Sequence, residues 1–107
     1  MKNTNDLNEI KELIEANQMV LGYFTTTDCN MCKDLFPKIE EMLKSFPNIE
    51  GFRAESDLNL RIVGEYSIYM VPSIILFIDG KETIRLSRNI SVMELSSQIQ
   101  RYYDMLN

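Results

Sequence analysis

The segment Phe24-Thr25-Thr26-Thr27-Asp28-Cys29-Asn30-Met31-Cys32-Lys33 contains both cysteines of the chain, three positions apart. It joins an apolar, strand-like run at residues 20–24 to an amphipathic stretch with helical spacing. The first amides of a helix lack internal partners and carry the positive end of the helix dipole, so a thiol placed there is biased toward the thiolate. A second thiol one turn later lies on the same face, close enough to form a disulfide. The segment therefore predicts a pair in which one cysteine attacks a disulfide and the other releases the product.

The composition is that of one acidic globular domain. The chain has 107 residues, 45% of them hydrophobic and 25% charged, so we expect a single domain over residues 1–107 that is large enough to bury a core. Its net charge is −5, from 11 basic and 16 acidic side chains. Because phosphate binding requires a basic face, we expect no nucleic-acid partner.

Neither the N-terminus nor any apolar run has the pattern of a targeting or membrane segment. Residues 1–6 are polar and lack the apolar centre of a secretory signal. The longest apolar run, at residues 74–78, is far shorter than the roughly 20 residues that span a bilayer. We therefore expect a cytoplasmic protein with no membrane partner. In that compartment a close cysteine pair is normally catalytic or redox-sensing rather than structural.

The chain contains no histidine. A zinc ion held by Cys29 and Cys32 would need two further ligands, from carboxylates of this chain or from cysteines of a second chain. The missing histidine also excludes catalytic triads built on that residue. We therefore expect no metal site.

Hydrophobic periodicity and turn residues predict an α/β order of elements: helix, strand, helix, strand, helix, strand, strand, helix. A right-handed βαβ crossover places helices on both faces of the sheet. The predicted elements are a helix at 6–17, a strand at 19–24, the longest helix at 29–46, a strand at 49–54, a short helix at 58–66 capped by Ser56-Asp57, a strand at 74–78 in the sheet centre, a strand at 82–86 after an Asp79-Gly80 turn, and a final helix capped by Ser91.

Several features in register resemble the thioredoxin family. They are Cys29-x-x-Cys32-Lys33 after a buried strand, Pro37 five residues beyond the second cysteine, Val71-Pro72-Ser73 before an apolar strand, the Asp79-Gly80 turn and a terminal amphipathic helix. The resemblance covers nearly everything from residue 20 onward and implies a thioredoxin-like α/β fold, with a central four-stranded mixed sheet and helices on both faces. The first strand of the family is expected to be absent, because only five residues precede the first helix.

The resemblance also implies that Val71-Pro72 is a cis peptide facing the cysteine pair, with the backbone of Val71 available to a substrate strand beside Cys29. A trans proline that ends a loop is the alternative. Met31, Met70, Val71 and Pro72 would then form a substrate-binding rim around Cys29, since methionine adapts to many partners. Methionines that only fill space are the other interpretation of this rim.

The sequence departs from the family pattern at four places. Asp28 replaces an aromatic residue, Asn30-Met31 replaces Gly-Pro, Tyr23 replaces a buried aspartate, and Arg88 takes the place of a glycine before the last helix. If that aspartate helps to deprotonate the second cysteine, its loss slows release of the mixed disulfide and leaves the first attack unchanged. The alternative is that Tyr23 only packs in the core.

Three charged residues are candidates for electrostatic tuning of the thiols. Asp28 opposes thiolate formation at Cys29, whereas Lys33 and Arg53 are cations that would favour a thiolate. Arg53 falls where the family often places a lysine near the aspartate. Both cations also fit a plainer interpretation, as solvated charges on a helix face and on a strand. We expect a modestly activated Cys29 thiol.

These features predict a thiol–disulfide oxidoreductase that needs no cofactor. Cys29 attacks a protein or small-molecule disulfide, and Cys32 then displaces the reduced product. The expected partners are disulfide-containing proteins and an unidentified reductase or thiol pool, and the chain is expected to be a monomer. The alternative is a redox-inactive or redox-sensing adaptor with the same fold, since residues that face partners in the family are replaced here.

Overall fold

The computed structural model describes all residues from 1 to 107. Five strands and four α-helices follow the order that the sequence predicts, apart from an additional first strand. None of the helices has the length and apolar composition needed to cross a membrane. The elements are β1 (Lys2–Asn3), α1 (Leu7–Ala16), β2 (Met19–Thr25), α2 (Asn30–Leu43), β3 (Glu50–Glu55), α3 (Leu60–Tyr66), β4 (Ser73–Ile78), β5 (Lys81–Ser87) and α4 (Val92–Leu106).

The five strands form one mixed sheet in the order β1-β3-β2-β4-β5. β3 runs parallel to β1 and β2, while β4 runs antiparallel to β2 and β5. All seven residues of β2 are buried, as expected for a near-continuous apolar run that is covered on both faces. β2 is the central strand. The sequence predicts this place for residues 74–78, but β4 lies one position away from the centre, between β2 and β5.

The sheet has five strands rather than the four expected, because β1 is present. Lys2 pairs with Phe52 and Asn3 with Arg53, and the N–H of Thr4 donates to the carbonyl of Arg53 at 2.9 Å. Both residues of β1 are exposed and polar, so they carry none of the apolar alternation by which a strand is recognised. The expectation that this strand is absent was therefore wrong.

Side chains of β2 alternate between two apolar layers, one on each face of the sheet. Met19, Leu21 and Tyr23 face the layer that contains residues of α2 and α4. Val20 and Phe24 face the layer that contains residues of α1 and α3. Helices therefore cover both faces of the sheet, as the sequence predicts.

Side-chain caps and one tight turn set several of the element ends. The Asp6 carboxylate accepts from two amides at the start of α1, and the Ser91 hydroxyl accepts from the Glu94 amide at the start of α4. Asp79 and Gly80, with φ of 51° and 80°, form the turn between β4 and β5, as an Asp-Gly pair predicts.

Two helix predictions need correction. The predicted helix at 58–66 is a 3₁₀ turn, Ser56–Leu58, followed by α3, whose first amides are capped by Asn59 rather than by Ser56-Asp57. The longest helix is α4, with 15 residues, and not α2, which has 14. α2 is shorter than predicted because Cys29 is its cap and because the helix ends before Phe46.

Candidate active site

The two cysteines lie at the start of α2 and are joined in a disulfide, with their Cα atoms 5.3 Å apart. Cys29 is the N-cap residue, and its extended backbone (φ −97°, ψ 103°) leads into the helix. The N–H of Cys32 donates to Sγ of Cys29 at 3.1 Å. A first-turn amide is therefore aimed at this sulfur, and the same arrangement in the reduced protein favours the thiolate over the thiol.

The two cysteines differ in their access to solvent. Cys29 is half-buried, whereas Cys32 is 1% exposed and belongs to the apolar layer that includes Tyr23 and Ile39. A substrate can therefore approach the sulfur of Cys29, while the sulfur of Cys32 is shielded from substrates.

The peptide bond between Val71 and Pro72 is cis, as the family resemblance implies. Neither the N–H nor the C=O of Val71 makes a hydrogen bond within the protein, because this residue precedes the first pair of β4. The carbonyl of Pro72 accepts from the N–H of Arg88 at 2.8 Å. The proline loop thus presents a free backbone segment and is tied to the loop that precedes α4.

The predicted rim is divided between two grooves on either side of the proline loop. Met31 and Pro72 line a groove of about 240 Å³, together with residues of α2 and of the loop before α4. Met70 and Val71 line a separate groove of about 250 Å³ beside α3. Met31 and Met70 are each about half exposed, at 51% and 48%. The structure therefore brings the four predicted residues to one face but does not gather them into one site.

Tyr23 lies below the cysteine pair and does more than fill space. Its side chain is fully buried, its ring packs 5.4 Å from the ring of Phe36, and its hydroxyl donates to the carbonyl of Cys32 at 2.6 Å. Burial raises the pKa of Tyr23 to about 12, against the opposing charge of Arg53. The phenol is therefore protonated at neutral pH, so that it can hold the Cys32 carbonyl but cannot act there as a base.

Arg53 stands beside Tyr23 on the neighbouring strand, in register with it. Its guanidinium carbon lies 4.8 Å from the centre of the Phe36 ring, an arrangement that is favourable for a cation over an aromatic face. Its Nε is buried and has no hydrogen-bond partner. Arg53 is therefore a partly buried cation below the start of α2, and not the exposed strand charge of the plainer interpretation.

Asp28 and Lys33 lie on the surface on either side of the cysteine pair. Both side chains are exposed, and neither belongs to an ion pair of the structure. Their effect on the thiols stays a prediction.

Asp57 holds the loop before Cys29 in place, a role that sequence reasoning missed. Its carboxylate accepts from the N–H of Thr27 at 3.2 and 3.3 Å and from the Thr27 hydroxyl at 2.6 Å. These hydrogen bonds lower the pKa of Asp57. The only signal in the sequence was a polar Ser56-Asp57 pair, which fits a helix cap equally well.

Arg88 has a left-handed backbone, with φ of 64°. This conformation is costly for residues other than glycine, which accounts for the glycine that the family resemblance places here. No group of three or more His, Cys, Asp or Glu side chains is arranged to hold a metal ion.

Comparison with known proteins identifies the family to which the chain belongs. A family model described as thioredoxin matches residues 2–101. The thioredoxin-like protein YdfQ of Bacillus subtilis is 28% identical over 96% of this chain and 92% of its own length. The thioredoxin of Chlamydia trachomatis is 31% identical over 79% of this chain and 80% of its own length.

Some relatives are longer than this chain, which spans 47% of thioredoxin-2 of Pyricularia oryzae. Among solved structures, a mutant thioredoxin from Halobacterium salinarum superposes with a TM-score of 0.86 over 95% of this chain and 89% of its own. At 22% identity that likeness concerns the fold alone. The family model and the paired cysteines support thiol–disulfide oxidoreductase activity, and the chain belongs to the thioredoxin family.

Proposed function

We propose that this chain exchanges its dithiol with protein and small-molecule disulfides, with Cys29 as the attacking sulfur and Cys32 as the resolving sulfur. The contrast between the two cysteines supports this order. Cys29 is half-buried and its sulfur accepts a helix amide, whereas Cys32 is buried in the apolar layer. Only the first sulfur can meet a substrate.

The exchange proceeds in two balanced steps. The Cys29 thiolate attacks one sulfur of the substrate disulfide, and the other substrate sulfur leaves as a thiolate. Cys32 then loses its proton to solvent and attacks Sγ of Cys29, so that the disulfide seen here forms and the second substrate sulfur leaves. The substrate gains the two electrons that the dithiol loses.

The free backbone of Val71 supports docking of an extended substrate segment. Its N–H and C=O have no partner in the protein, and hydrogen bonds to them do not depend on the side chains of the substrate. The same contacts serve many protein disulfides. We further propose that the protein acts as a cytoplasmic monomer, recycled by a reductase or a thiol pool. No cofactor is required, since the electrons pass between sulfur atoms.

Trapping of mixed disulfides tests the order of the two sulfurs. The Cys32→Ser variant should retain partners, or a small aryl thiol, covalently on Cys29, because the resolving sulfur is missing. The matched Cys29→Ser variant should retain none, because its remaining sulfur is buried. Equal trapping by both variants, measured by mass spectrometry of the intact protein, would contradict the proposed order.

A redox-inactive or redox-sensing adaptor is the second candidate. The replacements at Asp28, Tyr23 and Arg88 favour it, since these positions lie beside the cysteines or the proline loop. Precipitation of insulin in the presence of dithiothreitol separates the two functions. An oxidoreductase accelerates the precipitation above the rate with dithiothreitol alone, whereas an adaptor leaves that rate unchanged.

A further inference from the structure

The groove beside Pro72 carries two positively charged side chains, although the chain as a whole has a net charge of −5. We propose that this groove, called the basic groove below, binds a carboxylate of the substrate and makes acidic disulfides the preferred substrate class. The inference rests on the proposed function, since it concerns what the cysteine pair exchanges with. The groove has a volume of about 240 Å³, and its lining includes Met31, Asp34, Lys38, Pro72 and Arg88.

The basic groove lies beside the helix turn that carries the cysteines, although neither cysteine lines it. Met31 lies between the two cysteines in the sequence, on the first turn of α2. Pro72 follows directly on the free backbone of Val71 at which a substrate would dock. We therefore expect a group seated between Met31 and Pro72 to lie on the same side of the site as a substrate sulfur that has approached Cys29.

Arg88 is held at the edge of this groove by its own backbone. Its N–H donates to the carbonyl of Pro72 at 2.8 Å, and its φ of 64° fixes the direction in which the chain turns. The side chain is exposed. Glycine would adopt this backbone at lower cost, and it would bring no charge to the proline loop.

The two cations of the groove are free to bind a ligand. Arg88 and Lys38 belong to none of the ion pairs of the structure, which engage other basic side chains instead. Asp34 is the single acid that lines the groove, and it too forms no ion pair, so the lining carries one excess positive charge. A guanidinium binds a carboxylate through two parallel hydrogen bonds, and an ammonium adds a further charge-assisted bond.

The groove on the other side of the proline loop has the opposite charge. It is lined by Asp57 and by apolar residues such as Leu60 and Met70, and it contains no cation. The two sides of a docked substrate therefore meet different electrostatic environments. Of the two grooves, only the one that contains Arg88 stabilises a carboxylate, so the charge of a substrate favours docking in one direction.

Three small disulfides of similar length test this preference: those of mercaptopropionate, mercaptoethanol and cysteamine, which carry negative, zero and positive charge. The initial rate of reduction by the reduced protein is divided by the rate with dithiothreitol, because charge also alters the intrinsic reactivity of each disulfide. We expect the normalised rate to fall in the order mercaptopropionate, mercaptoethanol, cysteamine. Each exposed charge pair should contribute a factor of about 1.5 to 5, and added salt should reduce the differences.

Substitutions in the basic groove test whether its charged residues cause this preference for acidic disulfides. Arg88→Gln should lower the ratio of the mercaptopropionate rate to the cysteamine rate by about 2- to 5-fold, and Asp34→Asn should raise it. Arg88→Gly serves as a second variant, since glycine tolerates the backbone at this position. Lys81→Gln is the matched control, because Lys81 is exposed, unpaired and at the opposite end of the sheet, beside the turn at Asp79 and Gly80.

Two outcomes would overturn the inference, and they are distinguishable. If the mercaptoethanol disulfide is reduced but the charge ratio is the same in the unaltered protein and in Arg88→Gln, the exchange activity stands and the carboxylate site is wrong. If none of the three disulfides is reduced faster than by the Cys29→Ser variant, the proposed function fails and this inference fails with it. The predicted order of rates, with a charge ratio that falls in both Arg88 variants and is unchanged in Lys81→Gln, supports the site.

Discussion

Replacing Tyr23 with phenylalanine tests whether the phenol positions the second cysteine or moves a proton for it. Tyr23 is fully buried, and its hydroxyl donates to the carbonyl of Cys32 at 2.6 Å. Tyr23→Phe keeps the ring against Phe36 and removes this one donor. Because burial raises the pKa of the phenol to about 12, the geometry assigns Tyr23 a positioning role and no part in proton transfer.

The loss of one buried hydrogen bond sets the expected magnitude. A neutral hydrogen bond contributes about 0.5–1.5 kcal/mol to stability, so the urea midpoint of the oxidised protein should fall by about 0.2–1.5 M, given an m-value of about 1–3 kcal/mol/M. The sign of the pH effect follows from the raised pKa. The neutral phenol stabilises the fold below about pH 10, and this contribution is lost as the pH rises toward about 12.

An aryl disulfide whose thiolate absorbs visible light separates the two steps of the exchange. The first release of thiolate reports attack by Cys29, and the second reports attack by Cys32 on the mixed disulfide. Both rates are measured between about pH 6 and pH 9. We expect the midpoints of their pH profiles to be the same in Tyr23→Phe as in the unaltered protein, since a phenol with a pKa near 12 does not titrate in this range.

The matched control is Tyr66→Phe. The pKa of Tyr66 is also raised to about 12 by burial, its ring packs against Phe24 and Phe77 in the other apolar layer, and its hydroxyl makes no hydrogen bond within the protein. This variant should change neither rate. A shift of the second midpoint by more than about half a pH unit in Tyr23→Phe alone would refute the reasoning, because it would show that the phenol takes part in deprotonating Cys32.

Two further substitutions test the packing of the sheet and the anchoring of the active-site loop. Gly22→Ala should destabilise the protein by about 1–3 kcal/mol, because the added Cβ would lie 2.6 Å from Cζ of Phe52. Gly64→Ala in α3 should stabilise it by about 0.5–1 kcal/mol, because nothing lies within 4 Å of the added Cβ. Equal effects of the two substitutions on the urea midpoint would contradict this packing. Asp57→Asn should lower the urea midpoint at neutral pH, because the hydrogen bonds from Thr27 that lower the pKa of Asp57 lose their charge. A carboxylate whose pKa is lowered by folding stabilises the fold above the pKa of the unfolded state, about 3.9, and this contribution is lost as the pH falls through the pKa of the folded state. The difference in urea midpoint between Asp57→Asn and the unaltered protein should therefore vanish in strong acid. A difference that is constant with pH would argue against the ionic contribution.

The sequence was sufficient for the elements that depend on local chemistry. Asp6 and Ser91 cap their helices as expected, and the Asp79-Gly80 turn follows from the left-handed conformations that these residues tolerate. The continuous apolar run of β2 predicted a strand covered on both faces. The Cys-x-x-Cys spacing predicted a disulfide at the start of a helix, which is where the cysteines are. Each of these signals lies within a few residues of the feature that it predicts.

Features that depend on distant parts of the chain could not be predicted in the same way. β1 forms because two polar residues pair with the outer edge of β3, and nothing in the pattern of these two residues predicts a strand. Asp57 was expected to cap a helix, but a carboxylate accepts from any nearby donor, and the nearest one is Thr27, 30 positions earlier. The division of the rim into two grooves depends on where the proline loop crosses between α2 and α3.

The topology explains why the departures from the family pattern have unequal consequences. Thr25 pairs with Glu55, Phe24 with Ser73, and Ser73 with Ser87. The connections that follow β2, β3 and β5 therefore meet the connection that precedes β4 at one end of the strands. Asp28 and Arg88 lie on these connections, and Met31 lies on the first turn of α2. All three side chains are exposed, so they change what a partner meets there without disturbing the core.

Tyr23 is different because it lies inside the sheet. A buried hydroxyl without a partner is costly, so this residue is compatible with the fold only when an acceptor lies within reach of its oxygen. The acceptor is the carbonyl of Cys32, and the substitution therefore ties the core of the sheet to the backbone of the resolving cysteine. Recognition can vary at the exposed edge, whereas a change at Tyr23 must act on the position of Cys32 and hence on the second step of the exchange.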